Sequence, residues 1–184
     1  MSKLKNPKTA AVITVLVIAL SLCFGAVRSV RAEAAKVERM FTEGVDGSGY
    51  GIAGDLEERV DYASRLTKIA GKYTGMDQEI AVVEGAITAL SAARTADLKY
   101  LADRDLENAV TALDLALQDT DLSESDEKYR GETIAGFQSP GYKIDKEAVR
   151  YNEAVRKYQD EVLGGFVAGL VDRLFPLPDV EAYQ

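Results

Sequence analysis

Residues Thr9 to Val27 read TAAVITVLVIALSLCFGAV, a run without a single charge. Wound as a helix at ~1.5 Å per residue, the run is ~28 Å long, close to the hydrocarbon thickness of a bilayer. Its flanks are basic: Lys3, Lys5 and Lys8 precede it, Arg28 and Arg31 follow it, and no Asp or Glu occurs before Glu33. The expectation is a basic N-terminal tail over 1–8 and a transmembrane helix over 9–27, with membrane lipid as its partner. A cleaved signal peptide is the rival, since Ala32-Glu33-Ala34 has the small-x-small spacing of a processing site. Arg28 and Arg31 act as a stop-transfer flank and set that small pair away from the apolar run, which favours an uncleaved, single-pass anchor in the cell membrane. Leu22 stands where lipoprotein processing needs a small residue, so Cys23 reads as a small apolar side chain of the span. Basic residues on both flanks nearly balance. The three tail lysines are awkward to translocate, and this tips the reading toward an inside N-terminus with the remaining chain outside.

Outward from the anchor the composition changes sign. Three of the 22 Lys and Arg precede Val27, leaving 19 against 30 Asp and Glu, a net of −11 for the rest of the chain. Such a body repels phosphates, and nucleic acid is not expected as a partner. The 184-residue length leaves enough chain beyond the anchor for a sizeable core without disulfides, and the lone cysteine can form none within the chain.

Helical periodicity dominates the chain beyond the apolar run. The anchor helix continues through VRSVRAEAAKVERMF to about Thr42, because nothing in that stretch breaks it. EGVDGSGYGIAGD, from Glu43, is a glycine loop. Asp55 is then the expected N-cap of a helix whose apolar face is Leu56, Val60, Ala63, Leu66, Ile69 and Tyr73. Thr74-Gly75 interrupts or kinks it, and a second apolar face runs through Ile80, Val83, Ile87 and Leu90, with helical character to about Leu98. Asp103 or Asp105 is the expected cap of the next helix, carrying Leu106, Val110, Leu113 and Leu117. After the polar turn DTDLSESDE, Ser139-Pro140-Gly141 is expected to break the last helix after Phe137. Ile144, Ala148, Tyr151, Val155, Tyr158, Val162 and Phe166 resume the pattern, and Pro176 and Pro178 end it. The predicted fold is all-α: an N-terminal transmembrane helix, an antiparallel bundle of about four helices over 28–175, and a C-terminal tail over 176–184.

The inventory for chemistry is short. The chain has no histidine, which removes the commonest general base and transition-metal ligand. With the only thiol inside the apolar span, Ser-His-Asp, Cys-His, zinc and cysteine-cluster sites are excluded. Asp46, Ser48 and Glu57, with Gly51 at the sixth position, imitate a calcium loop. Tyr50 spoils the fifth ligand and Gly54 the ninth, which favours a plain glycine loop. The G-x-G pattern there follows no strand and fails as a dinucleotide site. Gly165-Phe-Val-Ala-Gly169 is a small-xxx-small pair in an apolar run too short to span a bilayer. Its two readings are close packing in the bundle and contact with lipid headgroups, and helix parity brings Val162–Leu177 toward the membrane surface. No cofactor and no metal are expected.

One segment carries a resemblance. AVRYNEAVRKYQDEV, from Ala148, together with DLEERVDYASRLTKIAGKY, Ala93-Arg94 and the N-terminal anchor, resembles the LemA family of bacterial membrane proteins. Members typically show an arginine, Tyr-Asn, a valine three positions on, and a second Tyr-Asn. Arg150, Tyr151, Asn152, Val155 and Tyr158 match, while Gln159 replaces the second asparagine. The glycine loop at 44–54, the interruption at 138–142 and the missing Phe-Pro pair near Gly164-Gly165 depart from the pattern. The resemblance implies a membrane-tethered helical bundle in the cell envelope with no established catalytic role. Read from the residues, Tyr151 and Tyr158 lie two turns apart on one helix face, and their hydroxyls are expected to reach partners at the bundle edge. The functional expectation is a non-enzymatic scaffold or adaptor that presents an acidic bundle to a protein partner. The alternative is an envelope signalling or stress-response accessory whose bundle responds to a bound ligand or metal.

Overall fold

A computed structural model describes residues 7–47, 49–165, 169, 171–173 and 175–184. Among these residues the chain is all-helical, with no strand. The helices are α1 (Pro7–Glu43), α2 (Ile52–Ala70), α3 (Asp77–Ala92), α4 (Ala96–Gln118) and α5 (Glu124–Lys157), the last passing into a π-helical stretch, Tyr158–Leu163. The chain divides into two compact units, one made of Met1–Glu38 and Val155–Val180, the other of Arg39–Ala154 and Glu181–Gln184.

In the first unit, α1 changes character along its length. From Val12 to Phe24 its large apolar side chains are exposed, Phe24 at 73%. From the end of the span onward, Val27, Val30, Ala34 and Val37 are buried at steps of 3, 4 and 3, the pattern of one packed helix face. Among the described residues, Val155, Tyr158, Val171 and Val180 are the other buried apolar side chains of this unit.

In the second unit, α2, α3 and α4 pack on one another. Leu66, Leu106, Leu113, Leu117, Val83 and Val110 are almost fully excluded from solvent. Polar contacts tie the start of α5 to this core: Lys72 and the Tyr73 hydroxyl meet the Asp126 carboxylate at 2.5 and 2.8 Å. Arg130 reaches Asp114 at 2.5 Å. The glycine loop turns back on α1 through Gly44, Gly47 and Gly49, all at positive φ. A Cβ on Gly51 would lie 2.7 Å from the backbone nitrogen of Gly44, so the close return needs glycine there.

Several boundaries differ from those expected. Among the described residues five helices form where about four were counted, because the chain breaks fully around Thr74-Gly75, between the end of α2 at Ala70 and the start of α3 at Asp77; α4 also starts earlier than expected, at Ala96. Pro140 does not break α5; it lies inside the helix and is buried between the buried positions Phe137 and Ile144. A proline inside a helix costs ~3 kcal/mol, an amount that burying a continuous apolar face can offset. Asp55 is not an N-cap. Gly51 occupies that position, and Asp55 is buried within the first turn, 3.5 Å from Lys143. Nor do Asp103 and Asp105 cap α4, which begins after Thr95. Lys3, Lys5, Ser48, Phe166, Val167, Leu170 and Leu174 lie outside the described residues. Of the apolar stretch Val162–Leu177, Val171 is buried and Phe175 is exposed.

Candidate functional site

The Tyr-Asn pair on α5 grips a second segment of the chain. Tyr151 donates its hydroxyl to the Glu181 carbonyl at 3.0 Å. Asn152 uses both ends of its amide on one residue: Nδ2 donates to the Tyr183 carbonyl at 2.9 Å, and Oδ1 accepts the Tyr183 N–H at 2.8 Å. These are the backbone groups that a neighbouring strand would satisfy. The first unit repeats the device seven residues on, where Tyr158 donates to the Pro178 carbonyl at 2.7 Å and Gln159 to the Val180 carbonyl at 3.1 Å. In each pair the tyrosine takes one carbonyl and the following amide takes the carbonyl two residues later. A glutamine in the second pair keeps the donor that an asparagine would supply.

Tyr183, once held, places its ring against Phe41 and Tyr100, with centroids 5.9 and 5.3 Å away. Its hydroxyl donates to Asp103 Oδ2 at 3.1 Å. The other oxygen of Asp103 lies 2.7 Å from Arg59 Nε. Both partners are buried, Arg59 with only 3% of its surface exposed. The Arg59 guanidinium lies over the Phe137 ring at 4.2 Å and reaches Glu107 at 3.5 Å. Gly141 of α5 faces the guanidinium so closely that a side chain there would overlap it. Burial raises the Asp103 carboxyl above its ordinary value, opposed by the Arg59 charge and the Tyr183 hydrogen bond. Burial, and then the negative charge of Asp103, push the Tyr183 phenol well up, so it is a proton donor at all ordinary pH.

Beside this pair is a cavity of about 280 Å³, bordered by Arg59, Tyr100, Asp103, Glu107, Tyr142 and Asp145. Its walls carry charges of both signs, suited to binding and orienting a polar group. No three Asp, Glu or Cys side chains converge as metal ligands among the described residues.

The residues singled out from the sequence are not all together. Tyr151 and Asn152 meet residues 181–183, and Tyr158 meets Pro178. Val155 is buried at 1% exposure. Arg150 points away, pairing with Glu147 on its own helix at 3.3 Å. Lys8, Arg28 and Arg31 are exposed along α1. Sequence reasoning missed Arg59, Asp103 and Tyr183 as a set, although a signal was present. Arg59 stands four residues before Ala63, and Asp103 three before Leu106, each a charge on the apolar stripe of its helix. Tyr183 gave no comparable signal, because no periodicity extends past Pro178.

Comparison of the chain with protein-family models, with curated proteins and with solved structures finds no match to it.

Proposed function

We propose that this chain is a membrane-anchored helical scaffold of the LemA type, with an antiparallel bundle that presents an acidic surface to a protein partner in the cell envelope. The observation that carries the proposal is the 7–27 part of α1, long and apolar enough to cross a bilayer, with its largest side chains turned outward. Exposed apolar surface on that scale is costly in water and stable in lipid. The Tyr-Asn track of α5 supports the LemA assignment, and the excess of carboxylates supports a protein partner over a nucleic acid. The test is fractionation of the full chain. Membranes washed with carbonate should retain it, and its N-terminus should be intact; a soluble mature chain that begins near Ala35 would show a signal sequence instead.

A second reading is favoured by the charged cavity beside Arg59: an accessory whose bundle responds to a small ligand or a metal ion. Melting of the full chain with and without calcium separates the two, because a ligand held by the native state alone raises Tm.

A further inference from the structure

The contacts that hold residues 181–184 are ones a different copy of the chain could equally make. Asn152 reads the N–H and carbonyl of one residue, and Tyr151 reads a carbonyl two residues earlier. The Tyr183 ring is read as a side chain, by Phe41, Tyr100 and Asp103. Together these groups form a receptor for a short non-helical segment that carries a tyrosine, here called the strand. Receptor and strand are 30 or 31 residues apart along the chain. The connection between them contains Gly164, Gly165, Pro176 and Pro178, which interrupt helices rather than extend them. No bond in the clamp requires strand and helix to share a chain.

We propose that this receptor also accepts residues 181–184 of a second copy, so that two chains pair by exchanging the strand. Exchange of an identical element reproduces each contact in trans, which makes a second copy the partner whose fit is already visible. The chain's own strand competes as a tethered ligand, so exchange rises with the concentration of chains. Asp103 supplies selectivity: a strand without the phenol leaves a buried carboxylate oxygen short of a donor. The inference goes beyond the anchored-scaffold reading and does not depend on it, since receptor and strand both belong to the unit Arg39–Ala154 with Glu181–Gln184.

The experiment uses the full chain with Cys23→Ala in detergent, followed by sedimentation over a range of concentrations. Asn152→Ala disables the receptor and Tyr183→Ala disables the strand. The parent should pair with rising concentration, and either variant alone should need roughly tenfold more protein or greater. Mixing the two should restore pairing, because one intact receptor then meets one intact strand; a tag on one variant recovers the other. Pairs that ignore both substitutions, as pairing through the apolar part of α1 would, overturn the proposal. So does a mixture that forms no mixed pair while both variants keep their helical circular dichroism. If Tyr183→Ala fails to fold, Tyr183→Phe removes the hydroxyl alone. A labelled peptide of residues 176–184 gives an independent reading: it should bind Tyr183→Phe more tightly than a scrambled peptide does, and equal binding overturns the receptor itself.

Discussion

The least polar part of this protein is exposed, and part of its buried surface is charged. Residues 12–24 of α1 show their Val, Ile, Leu and Phe side chains outward, whereas Arg59 and Asp103 are enclosed in the unit formed by α2 to α5. The contrast teaches that hydropathy reports which solvent a helix suits, while periodicity reports which face meets protein. A run apolar on every side has no inside face to choose and calls for lipid. A stripe with one charge in it calls for a partner charge across the interface, since an unpaired buried ion is heavily penalised.

Unpairing the buried charge should do the most damage. Arg59→Ala leaves Asp103 enclosed without its cation and should cost ~3–5 kcal/mol, read as a fall in the denaturation midpoint of the detergent-solubilised chain. If stability were unchanged, the buried pair would not organise the core. The matching experiment on the exposed region is Val17→Arg. A charge at the centre of a span should cost ~2.5–3.5 kcal/mol of insertion, seen as loss of protein from carbonate-washed membranes, with no comparable loss of stability in the α2–α5 core. Removing single hydroxyls probes the tyrosine clamps more gently. Tyr151→Phe and Tyr158→Phe should each cost about 1 kcal/mol, and the two effects should add if the clamps act independently.

The smallest expected effect is in acid. Lys72 and Tyr73 bond the Asp126 carboxylate and hold its pKa below the ordinary 3.8, with the Lys72 bond the larger cause. A depressed native value means that this group favours the fold above pH 3.8 and loses that contribution as pH falls below it. Asp126→Asn should therefore flatten the decline of Tm below that pH. Asp103 has the opposite sign: its raised value favours the fold at low pH and loses that contribution as pH rises through the native value. An unaltered acid slope in Asp126→Asn would place the acid-sensitive group elsewhere.

Much of this architecture is legible in the residues alone. The charge-free run from Thr9 to Val27, the stripe in α4 and the turn before Glu124 each follow from short-range pattern, because helix formation and helix stops are local events. The seven-residue spacing of Tyr151 and Tyr158 was equally plain, and both hydroxyls do find partners. What local pattern could not give was the identity of those partners. Pro140 reads as a stop in any local rule, yet α5 runs through it, since burial of Phe137, Pro140 and Ile144 on one face outweighs a missing backbone bond.

Composition and spacing within a few turns were enough to show that the chain is helical, that one stretch suits a bilayer, and which faces of α2, α3 and α4 turn inward. That Asp103 faces Arg59 instead of capping α4, and that Tyr183, 80 residues further on, closes over the pair, emerges from the packing of distant segments. Those contacts join residues far apart in the chain, and their energy comes from desolvation and hydrogen-bond geometry that exist only once the helices have met.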